Sequence, residues 1–355
     1  MLKLYFEDSL IKTNDYLSFL VPILWIPDKH IWWESELQIS NWYNTWKMLI
    51  ERTDNKQESD YFVFPVYFNL DLFDELKSLS IDAKALNKKV LVFYTSDIED
   101  YIDINDNIIW FKRSLNCFWP QNEYSLPAFP NNLTYEVTLD DIDKSIYKSI
   151  SIWYTWYSNY YNLKTFLLYY CLQFSRIFFS ITFIRKLLLK TKNEHRYHLL
   201  TTLWIWKYVR WKIISELKKT NNINFNYIER KTWLYIDVKE KLRQEYLDNI
   251  KNSLFSLVVR WNWNYSFRLY EVLSLWKIPL FVDTNSKLPF ADEIDYKSLF
   301  IYVPFSDIKN IWKYVFEFYE KNKNNLVNIE NEIRKIYLNY FVMEKYYEKI
   351  ISKLS

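Results

Sequence analysis

Apolar positions along the chain fall into two alternating patterns, short continuous runs and longer stretches at helical spacing. Near the start, "LKLYF" predicts a short strand. "YFVFPVYF", residues 61–68, predicts a second, with Pro65 marking its end or an edge position. Leu72, Leu76 and Leu79 then recur at helical spacing within "LDLFDELKSLSIDAKALNKK". "VLVFYTSD", 90–97, is apolar without a break, the pattern of a strand buried on both faces of a parallel sheet. "IIWF", 108–111, predicts another strand. "PQNEYSLPAFPNN", 120–132, has three prolines and no period, and predicts a loop.

The second half repeats the alternation. "SISIWYTWYS" predicts a strand, 161–190 a helical region, 208–219 a helix and "INFNYI" a strand. Val238, Leu242, Tyr246 and Ile250 share one face of a further helix. "LFSLVV" and "LFIYVPF" predict strands, and the tail from 307 to 354 reads as helix in two or three pieces. Strands separated by helices imply βαβ units and parallel sheets. The expected fold is α/β, with two Rossmann-like domains facing a cleft and a helical C-terminal tail. The domains are expected at 1–145 and 146–330, with 331–355 packing back on both. No internal sequence repeat stands out.

Composition fits a packed enzyme-sized chain: 355 residues, half of them apolar and a quarter charged. The net charge of +3 is too weak to imply a nucleic-acid binder. Cys117 and Cys171 are isolated, which gives neither a disulfide framework nor a zinc pattern. The acidic start is not that of a signal peptide. The most apolar stretch, 165–184, is interrupted by Gln173 and Arg176 and followed by Arg185, Lys186 and Lys190. It reads as a buried helix, with a face resting on a membrane surface and a membrane span as the alternatives.

One anomaly changes the picture. The chain has no glycine and 17 tryptophans, where ordinary usage of about 7% would give roughly 25 glycines. Some bacterial lineages read UGA as glycine, and such codons translated conventionally would become tryptophan. A Trp-rich, Gly-free protein is the alternative.

The stretch "VVRWNWNYSFRLYEVLSLWKIPLFVDT", 258–284, predicts strand, turn, helix and strand. Arg260 ends the first strand, where open α/β sheets bind ligands. Asn264 or Tyr265 would begin the helix, whose first N–H groups form a natural phosphate site. Arg268 and Arg260 would add charge-assisted bonds and Ser266 a hydroxyl. Glu271 would accept bonds from vicinal sugar hydroxyls. The plainer alternative is an ordinary helix with an Arg268–Glu271 surface pair, worth a few tenths of a kcal/mol.

Arg260, Ser266, Arg268 and Glu271, then Ile278 and Pro279, then Leu288, Pro289 and Phe290 match in order a family signature. The stretch resembles the exostosin-like glycosyltransferases, with Trp261, Trp263 and Trp276 on the family's glycines. "NEYSLPAFP", 122–130, and "VRWKI", 209–213, are similar to two further family segments. The resemblance covers most of 60–310, and is specific over 258–290 and loose before 150. It implies the GT-B architecture and inverting, metal-independent sugar transfer. The donor would be a nucleotide-sugar, UDP-linked, held by the C-terminal domain. Arg260, Ser266 and Arg268 would face its diphosphate and Glu271 its ribose or sugar. Other GT-B families, and a non-catalytic carbohydrate- or nucleotide-binding protein, remain the alternatives.

Such a transfer needs a general base, for which Asp97, Glu123 and His30 are the candidates. Each has a plainer reading: Asp97 as a cap, Glu123 as a solvent-facing loop acid, His30 as a hydrogen-bonding side chain. Arg210 and Lys212 are candidates for a phosphate or acidic-acceptor contact. His195 and His198 are too few for a metal. No cofactor is implied, since the nucleotide-sugar is a substrate. The acceptor would be a saccharide or lipid-linked saccharide. The expected setting is cytoplasmic, with peripheral contact at the inner face of the membrane, in surface polysaccharide synthesis.

Overall fold

A computed structural model describes residues 1–11, 36–94, 104, 106–115, 123–130, 144–156, 209–229, 239–260 and 264–355. These build two parallel sheets. The first contains β1 (Leu2–Tyr5), β2 (Ile50–Arg52), β3 (Tyr61–Val63), β4 (Lys89–Tyr94), β5 (Ile108–Lys112) and β6 (Glu123–Ser125). The second contains β7 (Ser151–Trp156), β8 (Asn224–Glu229), β9 (Phe255–Val258), β10 (Ile278–Asp283) and β11 (Ile301–Pro304). Their orders are β2-β1-β3-β4-β5-β6 and β11-β10-β9-β7-β8. Numbered within its own half, the second sheet reads 2-1-3-4-5 from its β8 edge, and the first reads 2-1-3-4-5-6 from β2. The two halves therefore repeat one doubly wound design without repeating a sequence.

That order places a switch point between β1 and β3 and another between β7 and β9. At such a point the connections leave to opposite sides and open a crevice beyond the carboxyl ends.

β4 shows why its run is unbroken. Val90, Val92 and Tyr94 pack with Leu76, Leu79 and Ala83 of α2 (Phe73–Ala85). Leu91 and Phe93 point to the opposite face, into the main core. Both faces are covered, so the alternation of a half-exposed strand is lost.

Three elements differ from the sequence reading. The segment read as loop contains β6, because Glu123–Ser125 pair in parallel with Trp110–Lys112. β2 and α1 (Glu36–Thr45) also went unread. Ile39 and Trp42 of α1 and Trp46 just beyond it do recur at helical spacing and are buried.

The tail forms α7 (Ile311–Asn322), α8 (Leu326–Ile336), a π-turn at Tyr337–Phe341 and α9 (Met343–Leu354), counting α3 at 209–218, α4 (Lys239–Lys251), α5 (Phe267–Ser274) and α6 (Tyr296–Leu299) before it. α9 lies against the first half. Tyr347 stacks on Trp42 at 4.8 Å between centroids, and Tyr61 donates its hydroxyl to the carbonyl of Leu354 at 2.8 Å. Buried Gln38 accepts from the Met343 N–H at 2.8 Å and donates to the Pro130 carbonyl at 2.7 Å. Among the described residues no helix is long and apolar enough to cross a membrane. The 165–184 run lies outside them.

Helix α5 ends as a glycine-terminated helix does. Trp276 has φ of 60°. Its N–H bonds to Leu273 O at 3.0 Å, and the Lys277 N–H bonds to Val272 O at 3.1 Å. That is the Schellman pair of bonds, which needs a left-handed residue at this position.

Candidate functional site

Helix α5 begins two or three residues later than expected. Ser266 is its N-cap residue, extended at φ −140° and ψ 112°, and its hydroxyl does not cap the helix. Asn264 has a different task. Its N–H donates to Ser114 Oγ at 3.0 Å and its amide nitrogen to Leu115 O at 3.1 Å. Its amide oxygen accepts from Thr284 at 2.5 Å. Asn264 therefore ties the loop before α5 to the end of the first sheet and to the end of β10. It is not the free helix-start N–H expected from the sequence.

Around this tie lies a cavity between the two sheets. Arg260, just past β9, lines it together with Asn264 and Ser266. Arg113, the residue after β5, lines it from the first half, and Lys287 from the loop after β10. The Lys287 N–H donates to Leu115 O at 3.1 Å and its ammonium to Glu123 O at 3.0 Å. Arg113 and Arg260 are both buried. No carboxylate is among the described residues that line the cavity. Its volume is about 20 Å³, room for one water.

Arg268 and Glu271 sit one layer deeper, at the β7–β9 switch point. The Arg268 guanidinium donates to Thr155 O at 2.6 Å. Its carbon lies 4.6 Å from the Tyr154 ring centroid, 5.5 Å from Trp153 and 5.6 Å from Tyr246. Burial opposes its charge, but Tyr246, Tyr154 and Glu271 outweigh that and raise its pKa above the usual value. Glu271 accepts from Arg243 at 2.6 Å and from the Tyr246 hydroxyl at 2.5 Å. Burial, then the Glu271 carboxylate, pushes the Tyr246 hydroxyl far up. Arg268 and Glu271 are thus buried in one network and are not a surface pair.

Arg210, at the start of the described part of α3, joins this group. It is buried, and burial first and then nearby Arg268 lower its pKa, against Tyr154 and Tyr227. Lys212 points elsewhere. Burial and then Lys309 lower its pKa, against Glu216. Two residues along a helix turn a side chain by about 200°, so the sequence neighbours Arg210 and Lys212 do not share a site.

Of the base candidates, only Glu123 falls among the described residues. It is buried, not solvent-facing, and its carboxylate takes the Lys112 ammonium at 2.6 Å. Asp97 and His30 lie outside the described residues, as do Trp261, Asn262, Trp263, His195 and His198. No group of three or more His, Cys, Asp or Glu side chains suited to a metal occurs among the described residues.

Sequence reasoning missed Arg113, Lys287, Arg243 and Tyr246. Arg113 was within reach, because it follows the "IIWFK" strand much as Arg260 follows "LFSLVV". The other three depend on which strand lies beside which. No protein-family model matches the chain, and no curated protein is significantly similar to it.

Proposed function

We propose that the protein is an inverting glycosyltransferase of GT-B architecture. It would move a sugar from a nucleotide-diphosphate donor, UDP-linked, to a saccharide or lipid-linked saccharide acceptor. The observation that carries this reading is the cation-walled cavity between the two parallel sheets, at the N-terminus of α5 and beside the β7–β9 switch point. Open α/β sheets bind nucleotides beyond their carboxyl ends. The order of Arg260, Ser266, Arg268 and Glu271 supports the exostosin-like assignment.

In this reaction the acceptor oxygen bonds to the anomeric carbon as the bond from that carbon to the diphosphate breaks. The electron pair leaves with the diphosphate oxygen, and the acceptor proton passes to a carboxylate. Arg260 and the first N–H groups of α5 hold the departing charge. Arg268 and Arg210 lie behind the cavity lining and would add positive charge to it, and Glu271 would take sugar hydroxyls or hold Arg243 and Tyr246 in place. Since the Glu123 carboxylate is engaged by Lys112, Asp97 is the first candidate for the base. The basic residues after the 165–184 run fit an acceptor at the inner face of a membrane.

The same reading takes Trp261, Trp263 and Trp276 as glycines of the native protein. The left-handed φ of Trp276 supports this. The volume of about 20 Å³ favours a second reading for the chain as written, in which it binds no donor. Calorimetry with UDP-sugars on the written chain and on a Trp261→Gly/Trp263→Gly/Trp276→Gly form separates the two. Tighter binding and UDP release by the glycine form are expected. Equal affinity would remove the recoding, and no binding by either would remove the donor site.

A further inference from the structure

We propose that the Trp153 indole stands in a binding slot for a planar nitrogen heterocycle of the nucleobase kind, between the paired strands β7 and β9 and the helices α4 and α5. The inference rests on reading the tryptophans as native glycines, carried to position 153, and not on sugar transfer.

Trp153 of β7 pairs with Ser256 of β9, so their side chains share one face of the second sheet. Thr155, two residues further along β7, shares it too. All three are buried. Trp153 Nε1, Ser256 Oγ and Thr155 Oγ1 have no hydrogen-bond partner among the described residues. Buried hydroxyls and indole N–H groups normally find one. Three orphans on one patch of sheet therefore mark a place fitted for other atoms. The surroundings are those of a ring. Tyr246 of α4 meets the indole in a T-shape at 5.0 Å between centroids, and the Arg268 guanidinium lies 5.5 Å from the centre of the indole. Guanidinium groups stack on flat rings. The indole fits this shape but offers a single donor and no acceptor. A nucleobase is equally flat and carries both kinds of group along its edge, which two hydroxyls can meet. Glycine at 153 would vacate the slot and keep the backbone pairing of β7 with β8 and β9. Arg243 lies over the Tyr246 ring at 5.3 Å and keeps 34% of its side chain exposed, which puts solvent two side chains from the slot.

The test is ligand-observed NMR titration with adenine and uracil, on the written chain and on its Trp153→Gly form. The written chain should bind neither base. Trp153→Gly should bind at least one, and adding Ser256→Ala or Thr155→Val should weaken that binding several-fold. Trp42→Gly leaves an indole-sized gap elsewhere and should bind neither base. Indole serves as a ring that only fills space. If Trp153→Gly takes indole but no base, holds a base as tightly without the two hydroxyls, or binds bases no better than Trp42→Gly, the inference is overturned. If Trp153→Gly does not fold, Trp153→Ala carries the same titrations, because it spares the strand a glycine. UDP that displaces the bound base gives the slot to the nucleotide donor. A base that UDP leaves in place keeps the slot and separates it from the nucleotide-sugar reading.

Discussion

The guanidinium of Arg334 on α8 lies 4.0 Å from the ring centroid of Trp276, a fully buried residue held at φ 60°. The indole N–H has no hydrogen-bond partner among the described residues. Trp46 and Trp153 bury their indole N–H groups in the same way. Buried tryptophans usually find a partner for that group, so these positions satisfy packing and fail chemistry.

Trp276→Gly is therefore expected to be milder than a buried Trp deletion should be. Losing the ring costs about 3–5 kcal/mol. Relief of the left-handed strain returns about 1–2 kcal/mol, and removal of an unpaired buried N–H about 1–3 kcal/mol. Trp42→Gly is the contrast, with its ring stacked on Tyr347 inside α1. It loses the ring and adds about 1 kcal/mol for glycine in a helix. Urea denaturation compares them, and equal losses would remove backbone strain as a distinguishing feature of position 276.

The carboxylate of Glu330 accepts from the Lys277 ammonium at 3.0 Å and also takes the Tyr147 hydroxyl. The two charged side chains are 1% and 2% exposed. Lys277→Met should cost about 3–5 kcal/mol, because it strands a buried charge. Adding Glu330→Gln should recover most of that while keeping an acceptor for Tyr147. A double variant as unstable as the single one in urea titration would count against charge burial as the cause.

Arg268→Ala and Glu271→Ala should each lower sugar transfer at least tenfold, about 1.4 kcal/mol. Both side chains also hold structure, so thermal unfolding must be measured beside the rate. Glu271→Gln keeps the shape and an acceptor for Tyr246. If it restores the unfolding temperature but not the rate, Glu271 acts on substrate. If it restores both, its role is to position Arg243 and Tyr246.

Glu344 opens α9, and its pKa is raised by burial and by Glu348, against Lys345. A carboxyl raised in the folded state binds its proton more tightly there than in the unfolded chain. Its stabilising contribution is full below the unfolded value, about 4.3, and is lost as pH rises through the folded value. Glu344→Gln should thus stabilise the protein at pH 7 and make little difference at pH 4. Thermal melts at both pH values check the sign, and a loss at pH 7 would reverse it.

The run of strands and helices was legible because its signals are local. "VLVFY" and "LFSLVV" are apolar without a break, since strands covered on both faces have no polar side to show. Arg260 was legible for a similar reason, standing at the end of such a run. The position of Trp276 stood out because the family resemblance puts a glycine there, and the structure gives it a left-handed φ.

The partners of the charged residues were not legible. Glu271 sits three residues from Arg268, but its carboxylate goes to Arg243 and Tyr246 on α4, and Arg268 goes to Thr155 at the end of β7. Glu123 looked like a loop acid until parallel pairing of β5 with β6 brought Lys112 to it. Arg113 and Arg260 line one cavity only because the two halves are joined there by the tie through Asn264. Hydrophobic periodicity reports what each segment buries. Strand order and the packing of one sheet against the other decide which distant side chains share that burial, and they are set by contacts that no short window of sequence contains.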